Sequence, residues 1–267
     1  MIRSIAHPTD FSPEGMLAFA HALKLALVNR STLDLVHVRS PGDAKHWEDF
    51  PHVREYLERW GILSAGSKLS DVADKTGVKV SKVEIADADP VDGLSRYLSK
   101  HRPDLIVMAS HGRSGLNRWM AGSVSAEVAQ RSRAPTLLFG PLARPFVDPQ
   151  SGELALGTIL VPIDHAPRAT DAIPLLESLS AQLGAGLDFL HVGQDAPRLH
   201  DTKRAAIAVR RIDGPVIDTI LAEAAPCGLV AMPTAGRQGI LDALRGSTTE
   251  RVVREAPCPV LALPAEP

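Results

Sequence analysis

Cysteine is scarce, with Cys227 and Cys258 the only two in 267 residues. They stand in neither CxxC nor metal-ligand spacing, so a disulfide scaffold and a local zinc knuckle are excluded, and buried free thiols are expected. A surplus of charge is also missing: the formal net charge is -2 and the pI about 6.6. No overall field recruits nucleic acid or an anionic membrane. No apolar run approaches the roughly 20 residues of a bilayer span, and the opening MIRSIAHPTDF holds no stretch of signal-peptide length. A cytoplasmic protein with neither nucleic acid nor membrane as partner is expected. Catalytic signatures are absent too: there is no GxxxxGK[ST], no GxGxxG after the first strand and no GxSxG. A P-loop NTPase, a dinucleotide-binding Rossmann site and a nucleophile elbow are therefore unsupported.

What is present is a repeat. IAHPTDFSPEG near the start answers ILVPIDHAPRA, with Pro8 and Asp10 standing 154 residues before Pro162 and Asp164. LDLVHV (Leu33 to Val38) and LDFLHV (Leu187 to Val192) keep that offset. GRSGLNRWMAGS and GRQGILDALRGS, and then APTLLF and CPVLAL, match at an offset of 124. The order never changes, so the chain is two copies of one domain, the second shorter by 30 residues in its middle. The first copy spans 1–142 and the second 157–267. Residues 143–156, rich in Pro and Gly and without periodicity, read as a linker.

Apolar runs of strand length alternate with helical segments such as Glu14 to Val28, which is the pattern of βαβ units. Two tandem doubly wound α/β domains of five parallel strands each are expected. The 30-residue difference falls at VREYLERWGIL, where Val53, Tyr56, Leu57 and Trp60 lie on one helical face. The second copy has almost no room for this helix between His191 and Ile212. One face of its sheet is therefore less covered, which invites a partner surface or a groove, unless the linker or the first copy covers it.

The stretch after the buried run Asp104 to Met108 carries the strongest chemical signal. Gly112 and Gly115 let the backbone approach an anion without a Cβ in the way, and Gly122-Ser123 opens a segment of good helix formers. The unsatisfied N–H groups of that helix start would face the loop, so a phosphate chain fits between them. A turn with a serine helix cap explains the same residues without a ligand.

The ordered set of PTD after the first strand, HV closing the second, and G-x9-GS followed by xxAExV resembles the universal stress protein family over essentially the whole chain. The resemblance implies the adenine nucleotide alpha hydrolase-like (HUP-like) form of the fold. It also implies binding of ATP, or of AMP or ADP, with magnesium as an accompanying ion, by a stress-response regulator and not a metabolic enzyme. The family's ATP-binding pattern G-x2-G-x9-G-[ST] falls on Ala109, Gly112, Gly122 and Ser123. By this resemblance Asp10 contacts the ribose and adenine end, Val38 lines the adenine, Ala109 lies near the ribose, and Gly112, Gly122, Ser123 and Val124 bind phosphates. Arg113 beside the loop is a candidate to neutralise them. Alanine at position 109 departs from the pattern, at slight cost if its φ is negative. In the second copy the pattern falls on Pro233, Gly236, Gly246 and Ser247, with Asp164 in place of Asp10. Proline there removes a donor. Family members pair through their last strand, so APTLLF and CPVLAL are expected to pair antiparallel as an intramolecular pseudo-dimer, with a homodimer as a further expectation.

Two alternatives stay open at this level. One is a slow ATPase or nucleotidyl-transfer enzyme. The other is a binding module in the shortened second copy, holding zinc on Asp164, His165 and His191 or an apolar ligand on the less covered face. His37 and His191 otherwise read as packing residues, and Ser12-Pro13-Glu14 as a helix start.

Overall fold

The computed structural model describes residues 2–110, 124–234 and 248–264. Its strands are β1 (Ser4–Pro8), β2 (Thr32–Arg39), β3 (Lys79–Ala86), β4 (Leu105–Ala109), β5 (Thr136–Phe139), β6 (Thr158–Pro162), β7 (Gly186–Val192), β8 (Leu199–His200), β9 (Ala206–Ile207), β10 (Val209–Ile212), β11 (Leu229–Thr234) and β12 (Val260–Pro264). The described helices are α1 (Pro13–Asn29), α2 (Val53–Arg59), α3 (Leu69–Thr76), α4 (Pro90–His101), α5 (Val124–Ser132), α6 (Ile173–Leu183), α7 (Val216–Ala224) and α8 (Thr248–Glu255). The element starts reproduce the repeat: β1 and β6, and β2 and β7, begin 154 residues apart, while β4 and β11, α5 and α8, and β5 and β12 begin 124 apart.

The chain forms two compact units. The first joins 1–134 to Val147–Leu154, and its sheet runs β3-β2-β1-β4, all parallel. Parallel strands covered on both faces need continuous apolar runs, and β4 (LIVMA) has one, with its first four residues buried. α1 starts where the sequence says: Ser12 caps it by accepting from the Gly15 N–H, and Pro13 occupies the first turn. Its Ala18, Phe19, Ala20, Ala22, Leu23 and Ala26 are fully buried, and the small alanines let it lie close to the sheet.

The second unit joins Pro135–Phe146 to Ala155–Pro267, with order β10-β7-β6-β11-β12-β5. Every pair is parallel except β12 with β5, where Thr136, Leu137 and Leu138 face Ala262, Leu261 and Val260. The last strand of the first copy is thus a strand of the second unit.

Residues read as linker carry structure of their own. Val147 and Leu154 form an antiparallel bridge, and the Val147 N–H donates to His21 Nε2 at 3.0 Å. Trp60 Nε1–H donates to the Pro149 carbonyl at 3.1 Å, and Gly152 sits at φ +69° where a Cβ would lie 2.4 Å from the Trp60 ring. Val147–Leu154 is therefore a strap on the first unit, invisible to periodicity because single contacts hold it. Trp60→Phe removes one hydrogen bond while keeping ring contact. A loss of about 1 kcal/mol in urea unfolding is expected, whereas no loss would assign the strap's hold to packing alone.

The predicted helical face at Val53, Tyr56, Leu57 and Trp60 is α2 and its C-cap, with Val53 and Leu57 buried and Tyr56 edge-on to Phe19 at 5.0 Å. Between β7 and β10 the second copy has no helix. A two-stranded antiparallel ribbon, β8 and β9, stands there.

Candidate functional site

From β1 the first copy winds outward through β2 to β3, then crosses back to place β4 on the other side of β1. Such a reversal opens a crevice at the carboxyl ends of the two central strands. Asp10 leaves β1 there, Val38 lies near the end of β2, and Ala109 ends β4.

Asp10 is held by a relay. Its Oδ1 accepts from the Ser12 N–H at 3.1 Å and from Ser12 Oγ–H at 2.6 Å, while Ser12 Oγ accepts from the Gly15 N–H at 3.0 Å. A Cβ on Gly15 would stand 3.1 Å from that same Oδ1, so glycine makes room for the carboxylate. Between them Phe11 adopts φ +61°, a left-handed conformation that costs a non-glycine residue about 1–2 kcal/mol. Its N–H donates to Thr9 Oγ1, and its ring lies tilted against His37 at 4.2 Å and meets Phe50 edge-on at 5.3 Å. This strained corner was missed in the sequence because glycine, not phenylalanine, advertises positive φ.

Across the crevice, Ser125 Oγ–H in the first turn of α5 donates to the Ser110 carbonyl at 3.0 Å, tying the helix start to the end of β4. Arg131 at the other end of α5 bonds Asp92 on α4 at 2.7 Å. Ala109 lies in the extended strand, where its methyl is tolerated and the glycine of the pattern is not required. Gly112, Arg113, Gly122 and Ser123 lie outside the described residues, as do Gly236, Gly246 and Ser247.

His7, one residue before the end of β1, was also missed. It is wholly buried, and Nδ1–H donates to the Val107 carbonyl at 2.8 Å, which leaves Nε2 as a bare acceptor without a partner among the described residues. Burial lowers its pKa to about 4, against the smaller opposing effects of that hydrogen bond and Asp10. The equivalent position in the second copy is Val161.

The second copy keeps part of this geometry. His37 Nδ1 meets the Thr9 carbonyl at 2.8 Å, and His191 Nδ1 meets the Ile163 carbonyl at 3.1 Å, both partners again 154 residues apart. The relay is lost, since Ala166 stands where Ser12 stood. Asp164 accepts from the His165 N–H at 2.7 Å, and its side chain is 68% exposed. Asp164 Oδ1 is 4.0 Å from His191 Nδ1, and His165 turns Nε2 to the Asp195 carbonyl at 2.8 Å. Among the described residues no three His, Cys, Asp or Glu are grouped to hold a metal. Pro233 falls within β11, beyond its last pairing with β6, where a missing N–H costs the sheet little.

The model of the universal stress protein family matches residues 1–140 and 201–264. The chain belongs to the universal stress protein family. A universal stress protein of Mycobacterium tuberculosis is 25% identical over 272 residues, covering 88% of each chain. The solved universal stress protein of Archaeoglobus fulgidus shares the fold of this universal stress protein at 20% identity and a TM-score of 0.62, over 98% of this chain and 96% of that one. Another solved family member, in complex with cAMP, covers 51% of this chain and 95% of its own, at 21% identity and a TM-score of 0.39. No described helix of this universal stress protein is long and apolar enough to cross a membrane.

Proposed function

We propose that this universal stress protein binds an adenine nucleotide, ATP or its mono- or diphosphate, in the crevice of the first copy, and serves as a stress-linked regulatory binding protein. The observation that carries this reading is the Ser12–Asp10 relay at the reversal of strand order. A carboxylate held at the end of β1 by Ser12 is an acceptor of the kind that the hydroxyls of a ribose suit. Opposite it, the first turn of α5 is anchored to the end of β4, and the backbone N–H groups and positive end of such a helix suit phosphate oxygens. Asp10 is committed to this relay and is assigned no role as a general base. Magnesium, where it accompanies the nucleotide, would offset phosphate charge.

The second copy, without the relay and with Asp164 turned to solvent, is assigned weaker nucleotide binding or none. The antiparallel pairing of β5 with β12 supports a pseudo-dimer completed within one polypeptide.

Titration calorimetry with ATP tests the assignment. One strong site per chain is expected, weakened at least tenfold by Asp10→Ala and changed less than twofold by Asp164→Ala. Gly122→Val, which places a branched side chain in the loop assigned to the phosphates, should abolish binding. Unchanged affinity in Asp10→Ala with the fold intact by circular dichroism would sink the proposal.

A further inference from the structure

We propose that the second copy holds a separate site for a small amphipathic carboxylate, a short-chain fatty or aryl acid, in the groove between the segment leading into β8 and the outer strand β10. This proposal does not rest on the nucleotide assignment. The second copy has the β8–β9 ribbon between β7 and β10 where the first has α2 and α3 between β2 and β3, and the groove beside the ribbon offers about 420 Å³, open to solvent. That volume falls in the lower part of the range of small-molecule sites.

Its lining is divided in a way that selects the ligand. Leu199, which is only 6% exposed, Ile207 and Val209 supply an apolar floor, while Arg198, His200 and Arg211 stand at the rim. Arg211 Nη1–H donates to the Gln194 carbonyl at 3.1 Å. That bond fixes the guanidinium beside the groove and leaves it further N–H donors for a carboxylate fork. Asp195 is the one acid of the lining; its side chain is 97% exposed, and its carbonyl is taken by His165.

Charge in the surrounding sequence points the same way. In a chain of net charge -2, residues 198–211 carry Arg198, Lys203, Arg204, Arg210 and Arg211 against Asp201 alone. Arg210 is spent on Asp188 and Glu223, with hydrogen bonds of 2.6 and 2.7 Å, and does not serve the groove. A purely inorganic anion leaves the floor unused, and a neutral apolar ligand leaves the rim unused. An acid with a short apolar body uses both.

The probe is octanoate, titrated calorimetrically into the full chain. One saturable site per chain is expected, weakened at least tenfold in the double variant Arg198→Gln, Arg211→Gln. Both arginines are exposed, so the fold should persist, and circular dichroism checks it. Ile207→Asp offers an independent variant on the floor, with the same loss expected. Asp10→Ala should bind octanoate as the unaltered chain does, which separates this site from the nucleotide assignment. The proposal is overturned by absence of saturable binding, by full affinity in the arginine double variant, or by displacement of octanoate by ATP. It is equally overturned if inorganic phosphate competes as well as octanoate, which would mean an anion patch without an apolar site.

Discussion

Replacing Gly140 with alanine is expected to destabilise the second unit by about 3 kcal/mol, because the new methyl has nowhere to go. A Cβ at this position would lie 2.0 Å from the Val253 carbonyl oxygen. That oxygen belongs to the backbone of α8, where Val252 and Val253 are fully buried, so no side chain can swing away to relieve the overlap. Relief requires parting the end of β5 from α8, and with it the strand's pairing to β12. Gly157→Ala is the contrasting case. Gly157 has φ +65° and nothing within 4 Å of its Cβ direction, so only backbone strain of about 1 kcal/mol is expected. Denaturant unfolding followed by circular dichroism separates the two, and equal losses would show that close approach at Gly140 is not limiting.

The second large effect is acid destabilisation of the first unit. His7 and His21 are wholly buried, and burial lowers both pKa values to about 4 from an ordinary 6.5. His21 Nδ1–H donates to the Leu17 carbonyl and Nε2 accepts from the strap at Val147, so the folded state uses the neutral ring at both nitrogens. The unfolded chain takes up protons below pH 6.5, while the folded chain does not until near pH 4. The stability these rings contribute is therefore complete above pH 6.5 and is lost as pH falls toward 4. At about 1.4 kcal/mol per pH unit for each ring, acidification from 6.5 to 5 should cost about 2 kcal/mol per histidine, before most carboxylates titrate. All three tryptophans, Trp47, Trp60 and Trp119, lie in the first copy, so their fluorescence in urea unfolding reports on the affected unit. The double variant His7→Gln, His21→Gln should flatten the dependence in that window, and an unchanged slope would put the cause elsewhere.

The repeat, the doubly wound architecture, the Ser12 helix start and the α2 face were legible in the sequence because each is written in several residues at once. Periodicity and a matched offset survive any single substitution. The Pro8-x-Asp10 turn was legible for the same reason, since it recurs as Pro162-x-Asp164. What escaped was built from isolated contacts: the Ser12–Asp10–Gly15 relay, the left-handed Phe11, and the strap held by His21 and Trp60. Each depends on residues that carry no local pattern, such as His21 bonding across 126 positions to Val147. The β8–β9 ribbon escaped in another way. A gap was evident between His191 and Ile212, but two-residue strands are too short to show a period of two.

The placement of β5 has a consequence for how such a chain can be divided. A cut at the repeat boundary, near residue 142, delivers one fragment whose four-residue β5, with four buried side chains, has lost its pairing to β12, and another with an open edge at β12. Each fragment then displays the backbone groups that the other was built to satisfy, and bare sheet edges of this kind recruit further chains. Keeping the copies in one polypeptide supplies the matching strand at an effective concentration on the order of millimolar, before any second molecule arrives. Covalent duplication thus acts here as protection against open-ended association. A separately expressed half would regain solubility only by carrying, or blunting, the other's edge.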